Sequence, residues 1–87
     1  MATGTIKTHI KQGIFRVDTI ANTNVLVTAD NIYAGSTLPT NPYTCAFTFI
    51  GAPTTLSNAF VKVDGGNIYV NDLVTNTRRA IAWFQFD

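Results

Sequence analysis

Hydrophobic and polar positions alternate most regularly between Ala59 and Asn71, where Phe60-Val61-Lys62-Val63-Asp64 and Asn67-Ile68-Tyr69-Val70-Asn71 flank Gly65-Gly66. A period of two marks a strand with one face buried, and a Gly-Gly pair supplies the positive φ angles of a tight hairpin turn. Centring the turn on the glycines pairs Asp64 with Asn67, Val63 with Ile68, Lys62 with Tyr69 and Val61 with Val70. Val61, Val63, Ile68 and Val70 then share one face; Phe60, Lys62 and Tyr69 share the other. A slip of one residue would scramble both faces, so pattern and turn support each other.

The rest of the chain reads as strands that cover the Val/Ile face. Thr3 to Lys11 alternates, with Gly4, Ile6, Thr8 and Ile10 inward and Thr5, Lys7, His9 and Lys11 outward, and Gln12-Gly13 reads as a turn or bulge. Ile14 to Ile20 resumes as a strand with Phe15 and Val17 on one side, and Asn22-Thr23-Asn24 turns the chain. Asn24 to Ala34 carries Val25, Val27 and Ala29 on one face, with a bend at Asp30-Asn31 before Ile32 and Tyr33. Gly35 to Pro42 is the one substantial loop; Pro39 and Pro42 stiffen it and remove two ladder donors. Thr44 to Ile50 aligns Cys45, Phe47 and Phe49 before the break at Gly51 to Thr55. After the hairpin comes a turn near Asp72 to Asn76 and then Arg78 to Asp87, with Ala80, Ala82, Phe84 and Phe86 on one side and Ile81 and Trp83 on the other. A strand apolar on both sides is either central in a layered core or half in a subunit interface.

These segments predict a single all-β domain over 1–87: an antiparallel β-sandwich of about seven short strands, jelly-roll-like or Greek key. The expected core is Ile6, Phe15, Val17, Val25, Val27, Phe47, Phe49, Val61, Val63, Ile68, Val70, Ala82 and Phe84.

Composition narrows the partners. Six Lys/Arg face five Asp in 87 residues, glutamate is absent, and charged residues make up 13% of the chain, about half the usual share. Such a neutral, Thr- and Asn-rich surface does not steer a polyanion, so nucleic acid is not expected as a partner. No apolar run is long enough for membrane insertion. Met1-Ala2-Thr3-Gly4-Thr5 lacks the basic and apolar parts of a signal region, which fits synthesis in a cytoplasm or an excised domain given a start Met. A chain this short buries little more than ~60% of its unfolded surface. With Cys45 the only cysteine and His9 the only histidine, it has neither an internal disulfide nor an ordinary zinc site to compensate. Self-association is the remaining common device, so a homo-oligomer is expected, a trimer favoured over a dimer. Ile81 or Trp83, with Phe60 or Tyr69, are the candidates for burial between subunits.

Candidate chemistry is thin. His9 falls on the polar face of its strand, and Cys45 aligns with phenylalanines as a small hydrophobe. Asp18, Asp30, Asp64 and Asp72 are scattered at turns and strand ends, where aspartate forms Asx turns. A catalyst needs converging titratable groups, so the chain is not expected to be an enzyme, and no metal or cofactor is expected. What remains is a binding surface. Tyr33 and Tyr43 beside the Pro-containing loop, with Asn31, Asn41 and Asp30, are the candidate ligand site. Aromatic rings stack on an apolar sugar face while amides and carboxylates bond hydroxyls.

The Met-Ala-Thr-Gly-Thr-Ile-Lys opening, the Thr/Asn-rich strands, the Asn-Ala-Phe-Val-Lys-Val stretch at 58–63 and the aromatic last strand resemble small phage virion proteins, in particular the C-terminal receptor-binding domains of tail fibres. That resemblance implies a trimeric β-structure, a virion location and binding to host-surface glycans. A structural decoration or assembly domain that contacts only other virion proteins is the alternative. It carries no site residue over to this chain.

Overall fold

The computed structural model describes residues 9–51, 59–73 and 77–86. Six strands follow in order: β1 His9–Asp18, β2 Val25–Val27, β3 Cys45–Ile50, β4 Phe60–Asp64, β5 Asn67–Asn71 and β6 Arg78–Phe86. A single turn of 3₁₀ helix at Pro42–Thr44 leads into β3. The strands form two antiparallel sheets of three, ordered β1-β6-β3 and β2-β5-β4. β1 pairs with β6 in one sheet and β2 with β5 in the other, and the chain changes sheet at every connection except the β4–β5 hairpin. This alternation is the wrapping of a jelly roll, with three strands to a sheet where the eight-strand form has four.

The hairpin has the expected register, Asp64 opposite Asn67 and Val61 opposite Val70. Gly65 and Gly66 have φ of 59° and 81°, the two positive angles that a type I′ turn requires. Inside the sandwich, Phe15, Val17, Ile81 and Trp83 of the first sheet meet Val27, Ile68 and Val70 of the second in one buried cluster. Val25, Ile32, Leu38, Cys45, Phe47, Phe49 and Val61 pack around it. Where the sheets meet, Arg79 at the start of β6 donates its Nε–H to Asp72 just past β5. The Asp72 carboxylate is fully buried and also accepts from the Leu73 N–H at 2.6 Å. A buried charge persists only when paired and hydrogen-bonded, so this contact clamps the two sheets at one end.

Several expectations are corrected. Gln12-Gly13 is neither turn nor bulge: β1 runs through it, and the register irregularity falls between His9 and Lys11. Glycine stands at 13 for another reason. A Cβ there would come within 2.6 Å of the Trp83 ring, and closer still to Thr37 Oγ1, so the missing side chain is what lets the indole lie across β1. Ile10 is exposed rather than inward. Ala29 is exposed because β2 ends at Val27 and a turn begins at Thr28.

The largest correction concerns β6. Phe15, Ile81 and Phe49 lie in one cross-strand row, as do Gly13, Trp83 and Phe47. Residues in a row share a face, so Ile81 and Trp83 point into the chain's own core, where they are 0% and 4% exposed. They are not available as subunit contacts. Phe84 lies on the outer face and is half-buried; Ala82 is on that face too, buried because its neighbours overtop it. Among the other expected core residues, Val63 is half-buried outside the central cluster, and Ile6 lies outside the described residues. The strand expected over Thr3 to Lys11 is described only from His9, and the turn at Asp72 to Asn76 only as far as Leu73.

Candidate functional site

The outer face of the first sheet is built from three cross-strand rows: Gln12–Phe84–Ala46, Ile14–Ala82–Thr48 and Arg16–Ala80–Ile50. The centre of each row belongs to β6, and two of the three central residues are alanines. Small side chains between longer ones leave a depression along the strand. One rim is raised by the segment after Ile32, which runs along the free edge of β1. Tyr33 N–H donates to the Arg16 carbonyl at 2.9 Å, Arg16 N–H to Ser36 Oγ at 2.9 Å, and Thr37 N–H to the Ile14 carbonyl at 2.9 Å. Trp83 reaches across Gly13 from the inside and donates its indole N–H to the Thr37 carbonyl at 3.0 Å. The rim is therefore anchored to both sides of the sheet.

Between rim and strand lies an open cleft of about 390 Å³, lined by Gln12, Gly13, Ile14, Arg16, Gly35, Thr37, Ala82 and Phe84. It is mainly apolar, with an aromatic ring in Phe84, an amide in Gln12, a hydroxyl in Thr37 and the Arg16 guanidinium. A few polar groups around an apolar floor are the usual make-up of a small-ligand site of this size. The described ion pairs are Arg79–Asp72 and the exposed Lys62–Asp64, so among the described residues the Arg16 guanidinium has no carboxylate within salt-bridge distance. Asp18, two residues along the same face, accepts instead from the Tyr33 hydroxyl at 2.7 Å.

The expected tyrosine site does not assemble. Tyr33 is half-buried at the Arg78 end of β6, with the Arg78 guanidinium 3.9 Å above its ring and its hydroxyl engaged by Asp18. Tyr43 is 66% exposed in the turn before Cys45, which pairs with Gln85 at the opposite end of β6. About seven residues of extended strand separate those ends, roughly 23 Å, so the two rings do not flank one groove. Asn31 stays at the Tyr33 side and is used structurally. Its amide closes the turn after β2, accepting from the Thr28 N–H at 2.8 Å and donating to the Leu26 carbonyl at 2.7 Å. Asp30 is exposed in that turn. Asn41 caps the 3₁₀ turn by accepting from the Tyr43 N–H, while its own N–H is held by buried Gln85 Oε1 at 3.2 Å. Phe60 and Tyr69, the other interface candidates, lie on the outer face of the second sheet; Phe60 is 44% exposed and Tyr69 half-buried.

The sequence pattern points to the loop beside the cleft and not to the cleft itself. Its alternation places Phe84 inward, and Gln12 and Arg16 carry no signal of their own. The one available clue was that a two-sided apolar strand must leave one side uncovered unless a third layer exists. Cys45 is packed beside the core and its thiol donates to the Asn41 carbonyl at 3.4 Å; partial burial pushes its pKa up. Among the described residues no three His, Cys, Asp or Glu side chains cluster to hold a metal, and no helix is long and apolar enough to cross a membrane.

No protein-family model matches the chain, and no curated protein or solved structure matches it.

Proposed function

We propose that the protein is a binding module of a phage virion that works as a homo-oligomer and takes a unit of a host-surface glycan in the cleft between β6 and the Gly35–Thr37 rim. The observation that carries this reading is that Phe84, Gln12, Thr37 and Arg16, an aromatic, an amide, a hydroxyl and a guanidinium residue, line one open cleft together. A ring beside polar donors suits a pyranose, which has an apolar face and a hydroxyl edge. The guanidinium adds a fork that matches a carboxylate, so sugars bearing an acid group are the favoured class. The cleft stands on sheet backbone and on a rim tied at several points, so little ordering is left to be done on binding. The resemblance to tail-fibre tips agrees with this use and with a virion location.

A glycan array probed with the full chain tests the reading. Arg16→Ala is expected to weaken binding about 10- to 100-fold, the range for a lost hydrogen bond to a charged group. Phe84→Ala should weaken it too, while Tyr43→Ala leaves it unchanged. Binding that survives both cleft substitutions, or that requires Tyr43, would refute the site. The alternative role as a structural or decoration domain draws support from the same face, where Ile14 and Ile50 are 37% and 43% exposed beside Ala80 and Ala82. A blank array together with capture by other virion proteins would favour it.

A further inference from the structure

We propose that the free edge of β3 is a strand-pairing site for a second copy of this chain, and that two copies join β3 to β3 in antiparallel fashion about a two-fold axis beside Thr48. Four strands end the two sheets, and three of them are guarded. On the free edge of β1, Ile14 to Val17 is occupied by the 33–37 segment, through backbone bonds to Ile14 and Arg16 and the Ser36 hydroxyl, and by the Val17–Ile32 bridge, and the remainder of the strand carries the charged Lys11. β4 carries Lys62 and Asp64, which form an exposed ion pair, and charge on an edge strand opposes pairing with another chain. β2 has three residues, too few for a ladder of useful length.

β3 differs from all three. It has six residues, Cys-Ala-Phe-Thr-Phe-Ile, with no charge and no proline, and among the described residues it pairs only with β6. In an antiparallel strand every second residue turns both its N–H and its C=O away from the existing partner. β3 thus presents backbone groups that a further strand would satisfy, at the position where an eight-strand jelly roll continues its sheet.

The occupant follows from self-complementarity. A two-fold axis sets each residue opposite its own kind or its mirror neighbour, so an edge that bears a charge repels its copy. β3 bears none. With the axis beside Thr48, Thr48 faces Thr48 of the partner subunit, Phe47 faces the partner's Phe49, and Ala46 faces the partner's Ile50. Threonine–threonine and aromatic pairs are favourable across antiparallel strands. The joined sheet would run β1-β6-β3 and back in reverse order, extending the core through the half-buried Phe47 and Phe49. The cleft lies on the far side of β6, so this contact leaves it open and does not depend on the ligand reading. Pairing of this kind closes at two chains, which departs from the trimer that the resemblance implies.

The test is the mass of the full chain by light scattering at micromolar concentration, for the wild type, Thr48→Lys and Arg16→Ala. The wild type and Arg16→Ala should have the mass of two chains. Thr48→Lys sets two ammonium groups face to face and should have the mass of one, 9.5 kDa, with unchanged far-ultraviolet circular dichroism. Independently, Cys45→Ala/Thr48→Cys should form a covalent dimer on oxidation. A wild type with the mass of one or three chains, a Thr48→Lys protein that keeps the two-chain mass, or an oxidised Thr48→Cys protein without the cross-link would each overturn the proposal. If Thr48→Lys fails to fold, the cross-link decides.

Discussion

β5 and β6 are the central strands of their sheets, yet they present opposite problems to a reader of the sequence. In β5, Ile68 and Val70 are buried while Asn67 is exposed and Tyr69 and Asn71 are partly so; one face is apolar and the other polar. In β6, Ile81 and Trp83 lie on one face and Ala80, Ala82, Phe84 and Phe86 on the other. The strand with the stronger apolar signal is the harder to orient, because alternation informs only when the two faces differ. What orients β6 is its neighbours: Phe15 and Val17 on one side, Phe47 and Phe49 on the other, and the gap that Gly13 leaves for an indole.

The most damaging test of this comparison removes the clamp that holds β6 against the second sheet. Asp72→Ala leaves Arg79 buried without its partner and should cost about 3–5 kcal/mol, enough to unfold a marginal domain; chemical denaturation measures it. Orientation itself is tested next. Trp83→Ala should cost about 3–5 kcal/mol and Ile81→Ala about 2–5 kcal/mol, whereas Phe84→Ala, half-buried on the outer face, should cost about 1–2 kcal/mol. A Phe84→Ala loss as large as that of Ile81→Ala would mean that β6 is turned the other way. Gly13→Val sharpens the point, since its side chain has to displace the indole; about 1–3 kcal/mol is expected, with a change in Trp83 fluorescence. The smallest effect is at Cys45. Burial raises its thiol pKa, so at neutral pH it should react with a maleimide more slowly than a free cysteine does. Because the folded pKa is the higher one, the unfolded chain ionises first. The stability this group contributes is full below the ordinary thiol range and is lost as pH rises through the folded pKa.

How much was legible in the sequence follows the same division. The hairpin register, the all-β class and the burial of Phe15, Val17, Val27, Ile68 and Val70 are legible in the sequence, because each rests on a local alternation or on turn chemistry; the order of the strands is not. Nor are the face of β6, the continuity of β1 through Gly13 and the early end of β2. The first two depend on contacts with residues distant in the chain, Trp83 with Thr37 and the 33–37 segment with β1, while the end of β2 is set by the local turn that the Asn31 amide closes on Thr28. The candidate site failed for a simpler reason. Tyr33 and Tyr43 are close in sequence, but the loop between them travels the length of β6. Ten residues apart in sequence, the two rings stand at opposite ends of a strand.

The segment from Ile32 to Thr37 has a further consequence. It lies along the Ile14–Val17 part of β1 much as a strand would, but one of its bonds is accepted by the Ser36 hydroxyl, and the chain is irregular after Gly35 and bends at Thr40. It occupies the edge without offering a regular edge of its own. A sheet stopped in this way on one side can lengthen only on the other, and a second molecule joined there brings its own stopped side with it. For this sheet, pairing through β3 as proposed would therefore stop at two chains rather than continue into a fibre.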